Sequence, residues 1–149
     1  MEKHNISGVS LQSGNSATSR TELDTHAASI VVGTNVLIIN ETGKTIEVGP
    51  FTKELGSLKK VKVVDCVVAH DCPYSGETRI VVMFNALYVP SMEHNLVPPF
   101  VVRRRGNEIN DIPKIQCADP SDKDHSMKFL DSDVRIQFQL VGTTSYFDT

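Results

Sequence analysis

Tryptophan is absent and the aromatic residues are six Phe and three Tyr, so most of any core must be built from aliphatic side chains. Cysteine is scarce. Cys66, Cys72 and Cys117 form an odd set without the paired short spacings of a zinc site, so no metal is expected. Three scattered thiols suit a reducing compartment, and the expectation is a cytoplasmic protein that needs no cofactor. A basic excess is also lacking. With a formal net charge of −3 there is no counterion release to drive general nucleic-acid binding. No apolar run approaches the roughly 20 residues of a membrane span, and the first residues lack the apolar centre of a signal peptide. No membrane partner is expected.

What is present is Val and Ile in runs, among them Ile30-Val31-Val32, Val61-Lys62-Val63-Val64 and Ile80-Val81-Val82, which favours strands over helices. A chain of 149 residues allows one ordinary domain. Residues 1–20 are rich in Ser, Asn, Thr and Gly and read as a flexible lead-in. Strands are predicted at 21–23, 35–39 and 45–48, with 40–44 as a turn between the last two. Longer strands are predicted at 58–69 and 78–87, joined by the turn-rich stretch 70–76. In the first of these Val61, Val63 and Asp65 share one face while Lys60, Lys62 and Val64 share the other, which leaves the buried face open.

A short strand at 95–97 precedes Pro98-Pro99-Phe100-Val101-Val102-Arg103-Arg104-Arg105-Gly106. This run has Pro where a first helical turn tolerates it, cations at the negative end and Gly where a helix stops. The three arginines read as a solvated helix end. Residues 107–124 read as loop, followed by strands at 127–130, 134–140 and 144–147. His70, His94 and His125 are placed in turns or loops, with no partner at metal-ligand spacing. The order predicts an all-β fold with one short helix near the C-terminal end of the core.

One stretch stands out for chemistry: Leu23-Asp24-Thr25-His26-Ala27, delivered by a short strand and followed by Ile30-Val31-Val32-Gly33. A carboxylate flanked by Leu23 and Ala27 is partly desolvated, so its charge is costly. The alternative is an ordinary turn in which the Asp caps local backbone groups.

Several segments together resemble the aspartic protease of a retroelement polyprotein, closest to the copia type. Leu23-Asp24-Thr25-His26-Ala27 is similar to that family's apolar-Asp-Thr/Ser-Gly-Ala active-site turn. The segment Gly49 to Ser57, with Phe51, Leu55 and Gly56, stands where the family has its flap. Ala86-Leu87-Tyr88-Val89-Pro90 through Asn95-Leu96-Val97 resembles the copia-type signature, and the predicted helix follows where the family's single helix lies. Two positions depart from the pattern: His26 replaces a small residue, and Pro98 stands where Gly is usual. His at 26 keeps the backbone N–H that the turn directs at the carboxylate, but adds bulk and, when protonated, charge. The resemblance covers residues 21–106. Residues 107–149 form a C-terminal β extension that either packs on the core or belongs to a following polyprotein segment.

The resemblance implies a retropepsin-like closed β-barrel, the half of an acid protease. It further implies a homodimer in which each chain supplies one catalytic Asp24 to activate a water for peptide hydrolysis. Two carboxylates so close cannot both ionise, so one serves as base and the other as acid. Thr25 would lock the two turns together, Ala27 would keep the turn small, and His26 would tune activity with pH. Phe51 and Leu55 would close over an extended polypeptide, the chain's own polyprotein. Leu96, Val97 and Phe100 are assigned to core or dimer contacts. Leu130-Asp131-Ser132-Asp133 is a second acidic turn without the small-residue continuation. The competing expectation is a catalytically silent dimer of the same fold that binds peptides or acts as a scaffold.

Overall fold

The computed structural model describes residues 19–48 and 59–149. Eleven strands and one helix follow in the order β1 (Arg20–Leu23), β2 (Val31–Val32), β3 (Leu37–Val48), β4 (Lys59–Asp71), β5 (Thr78–Tyr88), β6 (Asn95–Val97), α1 (Pro99–Arg104), β7 (Glu108–Asn110), β8 (Ser126–Phe129), β9 (Val134–Gln137), β10 (Gln139–Val141) and β11 (Thr144–Asp148). Among the described residues the fold is all-β with one α-helix and a 3-10 turn at Lys114–Gln116. Eight strands form one sheet in the order β10-β11-β1-β6-β2-β5-β4-β3, and β7-β8-β9 form a second. The expected closed barrel is not found: the large sheet ends on β10 at one side and β3 at the other, and among the described residues no pairing joins them. Closure needs a tilt and stagger carried around every strand, whereas the two-residue β2 and three-residue β6 leave the middle of this sheet short.

The region read as two strands around a turn at 40–44 is a single strand. Both halves of β3 pair with the same partner β4, and a register shift between Glu41 and Thr45 absorbs the extra residues. Gly43 takes φ +84° there, so the feature that looks like a hairpin turn in sequence makes a bulge. A second irregularity centres on Asp65 of β4. Register shifts flank it on both neighbouring strands. Its carboxylate accepts from Asn40 Nδ2 at 3.0 Å and from the backbone N–H of Asn85 at 2.9 Å, with Asn85 at φ +58°.

The open question of which face of β4 is buried has a two-part answer. Val61 and Val63 pack with Val31, Leu87 and Val89 on one side of the sheet, together with Met92 and Leu96. Val64, Cys66 and Val68 pack with Val32, Val81, Met83, Ala86, Val97 and Val102 on the other. Neighbouring residues 63 and 64 are therefore both buried, because the strand is covered on both faces at its middle. Burial, with a smaller effect of Asp65, pushes the Cys66 thiol up to about 12, so it behaves as an apolar filler.

Residues 107–149 contribute directly to the larger core through Met127, Ile136, Phe138 and Phe147. The stretch expected as loop from Asn107 contains β7, and the strand expected at 134–140 breaks at Phe138. That residue leaves the small sheet, bonds its N–H to the His125 carbonyl at 2.8 Å and buries its ring, so that β10 can join the large sheet. Helix α1 starts at Pro99, with Pro98 as extended N-cap, and ends before Gly106 at φ +89°, as its Pro and Gly punctuation requires. His70 is not in a turn: it lies on β4 with 1% exposure. No helix of the described residues is long and apolar enough to cross a membrane.

Candidate active site

The Asp24 turn owes its position to three short strands. β1 runs parallel to β6 with Leu23 opposite Val97, and β6 runs antiparallel to β2 with Leu96 opposite Val31. β1 and β2 are thus neighbours in sequence but not in the sheet, since β6 lies between them. The connection from Asp24 to Ile30 must arch over the end of β6. Its two feet are pinned: the Asp24 N–H donates to the Val97 carbonyl at 3.0 Å, and the Ile30 carbonyl accepts from the Leu87 N–H at 2.9 Å.

A buried polar relay holds the three strands beneath the arch. Asn95, fully buried on β6, accepts from the Gly33 N–H at 2.9 Å and donates through Nδ2 to Thr21 Oγ1 at 3.1 Å. Thr21 Oγ1 in turn lies 3.2 Å from Thr149 Oγ1. A buried amide that satisfies groups on both neighbouring strands fixes their register in a way aliphatic packing cannot. Gly33 is held against the 90–94 turn so closely that a Cβ there would lie 2.2 Å from the Met92 carbonyl oxygen. Sequence reasoning singled out neither Thr21 nor Asn95 as a site-forming residue. The available signal was the polarity of each inside a short strand, and both positions are fully buried.

Within the arch, the Ala27 N–H donates to the Asp24 carbonyl at 3.2 Å, closing a tight turn. The His26 N–H donates to Asp24 Oδ1 at 2.9 Å. One carboxylate oxygen is therefore engaged by the backbone. Among the described residues no cation forms an ion pair with this carboxylate. Asp24 and Ala27 are half-buried, while Thr25 and His26 are exposed. His26 does not have positive φ, so the turn accepts its side chain without backbone strain.

The other expected site residues are dispersed. Gly49, Phe51, Leu55 and Gly56 lie outside the described residues. Val97 is buried and supplies the carbonyl that anchors Asp24, and Leu96 packs on the smaller core cluster. Phe100 stands outside the core with 46% exposure, under the Arg104 guanidinium 5.5 Å from its ring centre. Among the described residues no group of three or more His, Cys, Asp or Glu side chains is arranged to hold a metal ion.

The second acidic turn is built differently. β8 and β9 are adjacent antiparallel strands, and Asp131-Ser132-Asp133 simply joins them. Asp133, at φ +60°, is 2.9 Å from Lys128 Nζ, and this hydrogen-bonded ammonium holds its carboxyl below the usual carboxylate range. Comparisons with family models, with curated proteins and with solved structures return no match to this chain.

Proposed function

We propose that the chain is an aspartic endopeptidase of the retropepsin kind, active as a homodimer with one Asp24 from each copy. The observation that carries the reading is the Asp24 arch. A half-buried carboxylate without a cationic partner among the described residues accepts the N–H two residues ahead, and its strand is locked to β6 and β2 by Asn95. That arrangement suits a carboxylate that must keep one oxygen fixed and present the other to a water. In the dimer, Asp24 and Asp24 of the partner subunit would share one proton across that water. One would take the water's proton during attack on the peptide carbonyl, and the other would hydrogen-bond the carbonyl oxygen. Thr25, exposed beside Asp24, would meet the second copy. The substrate would be an extended polypeptide, with the chain's own polyprotein as the natural one inside the cell.

A second reading is favoured by His26, an exposed residue two positions after Asp24 where the resembled family has a small residue. On that reading the dimer keeps the fold but binds peptides without cutting them. Expression of the chain and its Asp24→Asn variant within a longer precursor separates the two. Proteolysis predicts self-cleavage that pepstatin inhibits and Asp24→Asn abolishes. Absence of products from the intact Asp24 form at both acidic and neutral pH would select the silent module. A folded chain that sediments only as a monomer would exclude the shared site.

A further inference from the structure

Strand β11 is gripped near both ends by buried histidines. At Asp148, the backbone carbonyl accepts from His70 Nδ1 at 2.8 Å. At Ser145, Oγ lies 2.8 Å from His125 Nε2. The two imidazoles cap a column of rings. His70 meets Phe147 edge-on at 5.2 Å, Phe147 stacks on Phe138 at 6.3 Å, and Phe138 meets His125 edge-on at 5.5 Å. His70, His125, Phe138 and Phe147 are each no more than 4% exposed. The strand held by this column is the neighbour of β1, with Thr21 opposite Phe147 and Glu22 opposite Tyr146.

From this geometry we propose that His70 and His125 form an acid-sensitive clamp that holds β11 on β1 near neutral pH and releases it on acidification. The clamp acts on the sheet itself and does not depend on peptide hydrolysis.

The chemistry of His70 is the sharper half. Because a carbonyl can only accept, Nδ1 carries the proton, and Nε2 is left as a buried nitrogen without a hydrogen-bond partner among the described residues. Protonation of Nε2 would create a buried N–H with no acceptor and a charge in an apolar setting. Asp148 and Asp71 favour the charged form and Arg79 opposes it, but burial outweighs the carboxylates and lowers the proton affinity of His70. Burial also lowers that of His125, helped by Lys114 and opposed by Asp111.

The released strand would leave both rings in water, with the ordinary imidazole pKa near 6.5. The released state therefore binds protons more tightly than the clamped state. The clamp is at full strength above about pH 6.5 and weakens as pH falls toward the lowered folded values. Each histidine contributes up to about tenfold per pH unit in that window.

Hydrogen exchange of the full chain, corrected for intrinsic rates, provides the test. Between pH 7.5 and pH 5.5, protection of the amides of β1 and β11 should fall by about ten- to a hundredfold. Protection at 64–68 and 81–86 in the β4–β5 pair should hold within about twofold on the same scale. His70→Asn retains a donor at the Nδ1 position, and His125→Gln retains a group that can reach Ser145; neither replacement titrates. The double variant should lose the pH-dependent fall, and His70→Asn alone should lose about half of it on a logarithmic scale. The single variant supplies the answer if the double variant does not fold. Equal protection at both pH values, an equal fall in β4–β5, or a full pH response in the variants would overturn the clamp.

Discussion

The two acidic turns of this chain both open on Leu-Asp followed by a hydroxyl residue and differ in what surrounds them. Asp131-Ser132-Asp133 closes a hairpin between adjacent strands, and the Asp133 carboxylate is answered by Lys128. Asp24-Thr25-His26-Ala27 begins an arch between strands that a third strand separates, and its carboxylate is answered only by its own backbone among the described residues. The contrast teaches that an Asp is made available by sheet order rather than by neighbouring sequence. A hairpin can pair its own charges locally. An arch cannot, because the groups that pin its two feet come from β6 and β5.

The largest effect should come from Asp24 itself. Asp24→Asn is expected to lower precursor cleavage by about a thousandfold or more, the range for removing a general acid or base, and Asp131→Asn should leave the rate unchanged. Equal loss from both changes would erase the distinction between the turns. Next comes the frame beneath the arch. Asn95→Ala deprives the Gly33 N–H and Thr21 hydroxyl of a buried partner, and should cost about 2–4 kcal/mol in denaturant unfolding. Gly33→Ala forces a methyl group onto the Met92 carbonyl and should cost about 1–3 kcal/mol, read in the same titration. The smallest effect belongs to the hairpin: Asp133→Asn removes a solvent-screened ion pair and should leave the thermal midpoint unchanged within error. Asn also tolerates the left-handed backbone at that position.

Local features were legible in the sequence where local chemistry decides them. The β4–β5 hairpin follows from its β-branched runs, and α1 follows from Pro99 at its start and Gly106 beyond its end. Asp24 was legible as a turn carboxylate. The N–H of residue 26 was expected to face it and does, at 2.9 Å. What sequence could not supply was pairing between distant segments. Gly43 looks like a hairpin turn unless one knows that β4 pairs with both halves of β3. Asn95 looks like any polar residue until β1 and β2 are seen on either side of it. The barrel expectation failed for the same reason, since closure is a property of the sheet's ends and no local pattern encodes it.

The pairing of β1 with β11 carries a consequence in time. Thr21 lies opposite Phe147, so the strand that positions Asp24 gains one of its two sheet neighbours only after residues 144–148 have left the ribosome. Long-range strand pairs of this kind form late, because the intervening chain must be ordered before the contact offers any return. The nascent chain would thus complete β4–β5 early and the Asp24 frame last. For a molecule proposed to cut its own precursor, such an order of assembly would by itself delay the first cut until synthesis has passed beyond the domain.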